Sequence, residues 1–481
     1  MKYDVIVVGA GLGGLIAGAK LAKEGKSVLL VEQHDRPGGC ATTFNRKGFT
    51  MEVGLHEMDG LHASDMKWRI FRDLGVDTKV QFLRVPEFYQ FVNERYDVVI
   101  SHDPSDVCQK LIALFPEEVP GIEAYFYQLM NIRKIMKQPI TGPEKSAGEF
   151  LDSIISNEDL KLILLGNLGY FHDDPYTMSL TYYSMAQSSY YAGGGGNYIK
   201  GGSQVLSDYL AGYINDHGGK VLLNHLVTSI LTEDSKVTGI RYRKTAGLQD
   251  TAVAQCDLLI ANASVPQVAR LLPDEKGKIL EENIGGLQPG ASLLTVYLGF
   301  NQSLKEMGNP CYSTFVFDRS VKSLSDVSIN NRCDYDTRSF AFVDYSHVDS
   351  ELAPPGKGVG AVCCIDYAKD WEALDRESYK RKKEEVAKTF ISRLGKLIPG
   401  FQQAVEYYEV GTALTVKRYT LNPGGAVYGF AHTPDQSGTT VESPLANLHF
   451  ASAWTKTGGG YSGAIMSGYL CAMGVLREGR G

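Results

Sequence analysis

The sequence predicts an α/β fold, in which a Rossmann-like dinucleotide-binding domain is interleaved with an α+β substrate-binding domain. Three observations predict it. The first forty residues read as strand, glycine turn, helix, strand, acid and a second glycine pair. A buried-type apolar strand returns at residues 256–262. A third glycine loop, 458–464, comes between a strand and a closing helix.

Residues 5–8, Val-Ile-Val-Val, form the first strand, and Gly9-Ala10-Gly11-Leu12-Gly13-Gly14 follows. Gly9 permits the tight turn, Gly11 lets backbone approach a pyrophosphate, and Gly14 allows close helix–strand packing. The Ala- and Leu-rich segment beyond is a helix whose N-terminal N–H groups favour phosphate. Residues 27–31 form the second strand. Glu32 ends it, where a carboxylate can hold a ribose hydroxyl, and Gln33 is next. Arg36, Pro37, Gly38, Gly39 and Cys40 come almost at once. That second glycine pair gives backbone room beside a pyrophosphate and ribityl chain. It points to FAD rather than a nicotinamide. Residues 49–56, ending in Gly54, Leu55 and His56, bring the chain back toward the cofactor.

These features resemble the FAD family of phytoene desaturases, carotenoid isomerases and retinol saturases, with amine oxidases as more distant relatives. By that resemblance, residues 198–288 return to the FAD domain, and Val227 is the residue whose backbone meets the adenine. Read by itself, Val227 is an ordinary core position. The C-terminal segment also resembles the family: a strand at 448–452, a turn with Ala453 and Trp454, then Gly460, Ser462, Gly463 and Ala464 before a helix from Ile465. That helix N-terminus is suited to the flavin N1 and C2 carbonyl. No acid lies near Ala453 to bind the ribityl chain, so backbone N–H groups must serve. Segments 411–419 and 424–429 resemble family sequence beside the flavin.

The implied division gives residues 1–78, 198–288 and 413–481 to the FAD domain and 79–197 and 289–412 to the substrate domain. In the FAD domain a helix starts at Gly202, Gly218 and Gly219 end it, and residues 220–224 and 227–230 lead into a strand pair. In the substrate domain, strands are expected at 292–300, 339–345 and 359–365, and an amphipathic helix at 378–397. Residues 111–136 are rich in apolar side chains, with helical spacing after Pro120 and Arg133, Lys134 and Lys137 at the far end. They read as a helix packed on its own domain, or as a lid or membrane-surface helix. Residues 169–198 hold eight aromatic residues, among them Tyr170, Tyr182 and Tyr190. Such a cluster suits either a tunnel for an apolar ligand with one polar group or a Tyr-rich core. Gly193 to Gly196 reads as a flexible joint.

Composition agrees with a soluble enzyme. The chain has 481 residues, 43% hydrophobic, and a net charge of −7. Nothing in it points to nucleic acid, and no apolar run is long enough to span a membrane. The first strand begins at once, so no signal peptide is expected. The expected location is cytoplasmic, with peripheral membrane contact open. The eight cysteines form no CxxC pair and are expected to be reduced. Cys40 is either a small packed side chain or a redox or flavin-linking residue. His56-Glu57 begins like a zinc motif, but Gly60 stands where the second histidine belongs, so no metal is expected.

The function these readings imply is an FAD-dependent oxidoreductase acting on a carbon–carbon bond of an apolar polyene, isoprenoid or lipid-like substrate. Desaturation, saturation and isomerisation are all open, and the electron donor or acceptor is external. His56, Glu57 and Tyr419 are the candidates for proton transfer. Two alternatives remain. One is a flavin amine or amino-acid oxidase with an aromatic cage of Trp454, Tyr419 and Tyr461. The other is a non-catalytic binder of prenylated chains.

Overall fold

In the computed structural model, residues 1–139, 142–247, 251–436 and 440–478 are described. A parallel sheet carries the N-terminal motif. Lys220–Leu222, Val28–Val31, Lys2–Val8, Ala252–Ala261 and Leu448–Phe450 lie side by side in that order, all parallel. These strands come from the N-terminal motif, from residues 220–261 and from the C-terminal segment. At its centre the sheet is buried on both faces, as a parallel sheet requires: Val28–Val31, Val5–Val8 and Leu259–Ala261 are all buried. At its other end Ala252–Ala261 pairs antiparallel with Lys236–Lys244, which in turn pairs with His225–Glu233.

Three helices pack together behind this sheet: Leu12–Lys23, Gln204–Asp216 and Gly460–Glu478. Glycines set their closeness. A Cβ on Gly468 would lie 2.2 Å from the Gly13 carbonyl oxygen, and a Cβ on Gly13 would lie 2.1 Å from that of Ala451. Only missing side chains allow backbones so near.

A second sheet has the order Val405–Gly411, Ser292–Phe300, Gly358–Asp366, Phe340–Asp344, Ser313–Val316, Tyr89–Val92, Asp97–Ile100. Period-two alternation divides its faces. Leu294, Leu298 and Phe300 pack with Val386, Phe390 and Leu394 of the long helix Arg376–Leu397. Leu293, Thr295 and Tyr297 face the other way, into a large cavity. Helices Pro104–Leu114, Val119–Ile135, Ala147–Ile154, Glu158–Leu164 and Leu180–Gly193 gather around a separate core that includes Leu129, Leu151 and Tyr183.

Several elements differ from the sequence reading. The helix expected after Pro120 is present, and residues 111–114 belong to a separate one. Pro104–Leu114 ends before Phe115, and Val119–Ile135 begins afresh with Pro120 in its first turn, the position proline tolerates. Residues 193–196 are not simply a joint: Gly196–Ile199 is a strand between Met58–Asp59 and Phe82–Arg84. Residues 220–224 and 227–230 do not pair with each other. The first joins the parallel sheet and the second forms a hairpin with Lys236–Lys244. The C-terminal helix starts at Gly460, inside the expected loop. Among the described residues no helix is long and apolar enough to cross a membrane.

Candidate functional site

A single cavity of about 1480 Å³ runs between the two sheets. At one end stands the N-terminal turn. Gly9 has φ +98°, and its N–H donates to the Val31 carbonyl at 2.9 Å. The Gly38 N–H donates to Ala10 at 2.7 Å, which joins the two glycine turns. A Cβ on Gly39 would meet the Gly11 Cα at 3.3 Å. Gly9, Gly11, Leu12, Gly13, Gly38, Gly39 and Cys40 all line the cavity here. Gly14 does not. A Cβ there would lie 2.2 Å from the Gly9 carbonyl oxygen, so its work is to let helix and turn close together.

Glu32 is buried at the end of its strand. One oxygen accepts from the Ala10 N–H at 2.7 Å and the other from the His34 N–H at 3.0 Å. Each oxygen has a further lone pair, so the pinned carboxylate can still receive hydroxyl donors. Gln33 donates to the Tyr419 carbonyl at 3.1 Å, and Arg36 to that of Thr43 at 2.7 Å. Val227 is buried in the wall of the same cavity. From the C-terminal segment come Ala453, Trp454, Gly460, Ser462, Gly463 and Ala464. Two backbone turns bare of side chains and a helix start supply N–H donors that fit a nucleotide pyrophosphate, and the pinned carboxylate supplies acceptors that fit its ribose.

Beyond this end the cavity continues between the Leu293–Tyr297 face and one stripe of helix Leu180–Gly193. The stripe is Thr181, Tyr182, Met185, Ala186, Ser189 and Tyr190, at helical spacing. The Tyr182 ring stacks on His432 with centroids 3.7 Å apart and planes 7° apart. His56 and Glu57 also line this part. Their segment is held by the second sheet: the Tyr345 hydroxyl donates to the Leu55 carbonyl at 3.1 Å and that of Tyr312 to the His56 carbonyl. Leu55 itself is core and takes no part in the wall.

The titratable groups here are set by burial. Burial pushes the Glu57 carboxyl well up, and the nearby Glu87 and Asp59 carboxylates push the same way against Arg84. One Glu57 oxygen is buried without a hydrogen-bond partner among the described residues. Burial brings His56 down to about 4, and its Nδ1 shares a hydrogen bond with the Tyr170 hydroxyl at 2.8 Å. The Cys40 thiol is pushed up to about 11 by burial. Tyr419 lies elsewhere. It is 54% exposed, and its ring and carbonyl meet His34, beside the Glu32 end. Trp454 is 2% exposed and packs edge-on against Phe430, so it does not stand with Tyr419 in a cage.

The family profile described as flavin containing amine oxidoreductase matches residues 12–476. This chain belongs to that family. Among curated relatives of this flavin-containing family, the all-trans-retinol 13,14-reductase of Danio rerio is 24% identical, the match covering 99% of this chain and 86% of that protein. The chloroplastic prolycopene isomerase of Daucus carota is 28% identical, over 99% of this chain and 80% of that one. A crystal structure of an oxidoreductase from Methanosarcina mazei has the same fold. Its TM-score is 0.67 at 20% identity, covering 99% of this chain and all of that one.

Three features of this flavin oxidoreductase escaped sequence reasoning. Asn262, at the carboxyl end of Ala252–Ala261, accepts the Gly14 N–H at 2.9 Å and so finishes the first helix turn. Its place at a strand end beside the glycine turn was the available signal. Glu52, 2% exposed, gathers the Ser203 N–H and hydroxyl at 2.8 and 2.7 Å and the Leu55 N–H at 3.1 Å. Lys67, 4% exposed, bridges Asp59 and Asp65 at 2.9 and 3.1 Å, and Asp59 also accepts from Ser462 at the start of the C-terminal helix. Neither Glu52 nor Lys67 belongs to a local pattern.

Proposed function

We propose that the protein binds one FAD non-covalently and acts on a carbon–carbon bond of an apolar polyene, isoprenoid or lipid-like molecule. The observation that carries this reading is the extension of the cavity beyond the nucleotide end. It is walled by tyrosine rings, Met185 and Leu293, and its buried acid, Glu57, has its carboxyl pushed well up by burial and by Glu87 and Asp59. Such a wall suits a long apolar ligand, and a neutral carboxyl suits proton delivery to a carbon. The retinol reductase and prolycopene isomerase among the relatives support a polyene substrate.

When bound, the flavin supplies a hydride donor or acceptor. The chain supplies the rest. The Gly9–Gly14 and Gly38–Gly39 turns would cradle the pyrophosphate and Glu32 would hold a ribose. The raised Cys40 thiol is a poor nucleophile, which favours a non-covalent cofactor. Glu57 keeps a proton for the substrate carbon. His56, neutral at pH 7, has no imidazolium proton to give and instead steadies Tyr170. Tyr419, facing solvent beside His34, is no longer a candidate donor in this reading. Trp454 and Tyr461 line the cavity, but Trp454 packs edge-on against Phe430 and Tyr419 faces solvent, so these residues do not close into the cage the amine-oxidase alternative needs. The intact glycine cradle and Glu32 speak against a binder with no use for FAD.

The test is single-turnover kinetics on the FAD-loaded protein. Anaerobically reduced enzyme is mixed with detergent-solubilised polyenes, and oxidised enzyme with saturated partners and with amines. Exchange of electrons with a polyene, slowed about a hundredfold by Glu57→Gln, is the expected result. Flavin reduction by small amines with peroxide release, and inertness to every polyene, would overturn the reading.

A further inference from the structure

Asp59 brings a charge to the start of the C-terminal helix. It closes the short strand Met58–Asp59, where it pairs with Gly196 of the neighbouring strand. One of its oxygens accepts from the Ser462 hydroxyl, in the first turn of helix Gly460–Glu478. The other meets Lys67 Nζ at 2.9 Å, and the same ammonium reaches Asp65 at 3.1 Å. Asp59, Asp65, Lys67 and Ser462 all line the cavity. The ion pairs have a built seat. Gly60 follows Asp59 at φ +86°, and a Cβ there would lie 2.2 Å from an Asp65 oxygen and 2.9 Å from Lys67 Nζ. Asp65 also caps helix Met66–Asp73, accepting the Lys67 N–H at 2.7 Å.

Two carboxylates share one ammonium here, and among the described residues neither acid meets another cation. The cluster therefore keeps one negative charge. The Lys67, Asp65 and Asp59 side chains are 6%, 7% and 13% exposed, so water and salt screen that charge little. It is felt inside the cavity. Burial, and after it Asp59, pushes the Tyr182 hydroxyl up, and Asp59 is among the charges that add to the effect of burial on Tyr190 and Glu57. A helix N-terminus favours negative charge, and the FAD reading gives this one to the flavin N1 and C2 carbonyl, where charge collects on reduction. Asp59 already answers that helix start. A second negative charge beside it costs more than the first.

We propose that Asp59, acting through Ser462 and the helix start, is a positioning residue that holds the reduction potential of the bound flavin low, and that Lys67 limits how far it falls. The proposal rests on the FAD reading above. It concerns an equilibrium, the affinity for oxidised FAD against that for reduced FAD.

Anaerobic dye-equilibration potentiometry of the FAD-loaded full chain, at one fixed pH, tests it. Asp59→Asn removes the charge and keeps the shape. The preference for oxidised over reduced FAD should fall about tenfold, which raises the potential by about 30 mV for a two-electron couple. Lys67→Met should lower it by a similar amount. Asp65→Asn makes the same charge change one ion pair farther from Ser462 and should raise the potential by less than Asp59→Asn does. Melting curves identify any variant that fails to fold, and each of the three reads the same cluster, so any one that folds and holds FAD decides. A purely structural role would leave the potential where it is. A potential that stays or falls in Asp59→Asn, or stays or rises in Lys67→Met, overturns the proposal, and equal shifts in Asp59→Asn and Asp65→Asn overturn the route through Ser462. A wild type that takes up no FAD sinks the cofactor reading, whereas normal FAD uptake with an unmoved potential sinks this proposal alone.

Discussion

Replacing Gly11 tests the nucleotide end most directly. A Cβ at Gly11 would lie 2.7 Å from the Asn262 side-chain nitrogen, well inside contact distance. Asn262 cannot yield freely, because its oxygen holds the Gly14 N–H at 2.9 Å. Gly11→Ala therefore forces a choice between overlap and the loss of that hydrogen bond. The first costs about 1–3 kcal/mol, and the second leaves a helix N–H unpaired at about 1–3 kcal/mol. Gly11→Val adds two methyl groups on the cavity side, where the FAD reading puts the pyrophosphate. We expect an apo-protein destabilised by about 2 kcal/mol and no measurable flavin. Two assays separate the terms: urea unfolding of the flavin-free protein and fluorescence titration with FAD. Asn262→Ala is the control. It removes the amide that Gly11 packs against, so Gly11→Ala should cost less stability in that background. Its FAD defect should stay, since the phosphate approach has not changed. Full flavin occupancy in Gly11→Val would refute the cofactor assignment. Equal stability costs with and without Asn262 would refute the packing argument.

Glu32→Ala removes the acceptor of two backbone N–H groups and the carboxylate proposed to hold the ribose, and FAD affinity should fall by about 1.5–3 kcal/mol in a fluorescence titration. Lys67→Met strands Asp59 and Asp65 in a buried site and should destabilise by about 3 kcal/mol or more, read by chemical denaturation. Glu57→Gln should stabilise the protein, and increasingly so with pH. The folded state holds the Glu57 proton more tightly than the unfolded chain does, so the wild type loses stability as pH rises above the unfolded value near 4.5. A melting-temperature difference that does not grow between about pH 4.5 and 8 would sink that assignment. His56 and His432 act with the opposite sign. Both are brought down to about 4, so the unfolded chain binds protons first and stability should fall as pH drops from about 6.5 toward 4. His432→Gln should flatten that slope in a pH series of melts.

The sequence by itself determined whatever depends on neighbours along the chain. The strand, the glycine turn, the helix and the acid at position 32 are legible because a tight turn, a helix start and a strand end each constrain residues a few places apart. The same holds for the glycines at 38 and 39 and for the existence of a strand at 292–300, whereas only the packed structure allots Leu294 to the helix and Thr295 to the cavity. The tertiary structure alone decided what depends on distant pairs. Asn262 meets Gly14 across 248 residues, and no local pattern names a partner that far away. Gly13 stands in the sequence only as one of the cofactor-side glycines, yet its missing side chain admits the Ala451 carbonyl. By sequence Tyr419 groups with His56 because both lie in segments near the cofactor, but chain direction does not say which end of a long cavity a side chain reaches. The Glu57 proton is decided in the same way. Its carboxyl is raised by burial and by Glu87 and Asp59, and desolvation is a property of the packed interior that a string of residues does not carry.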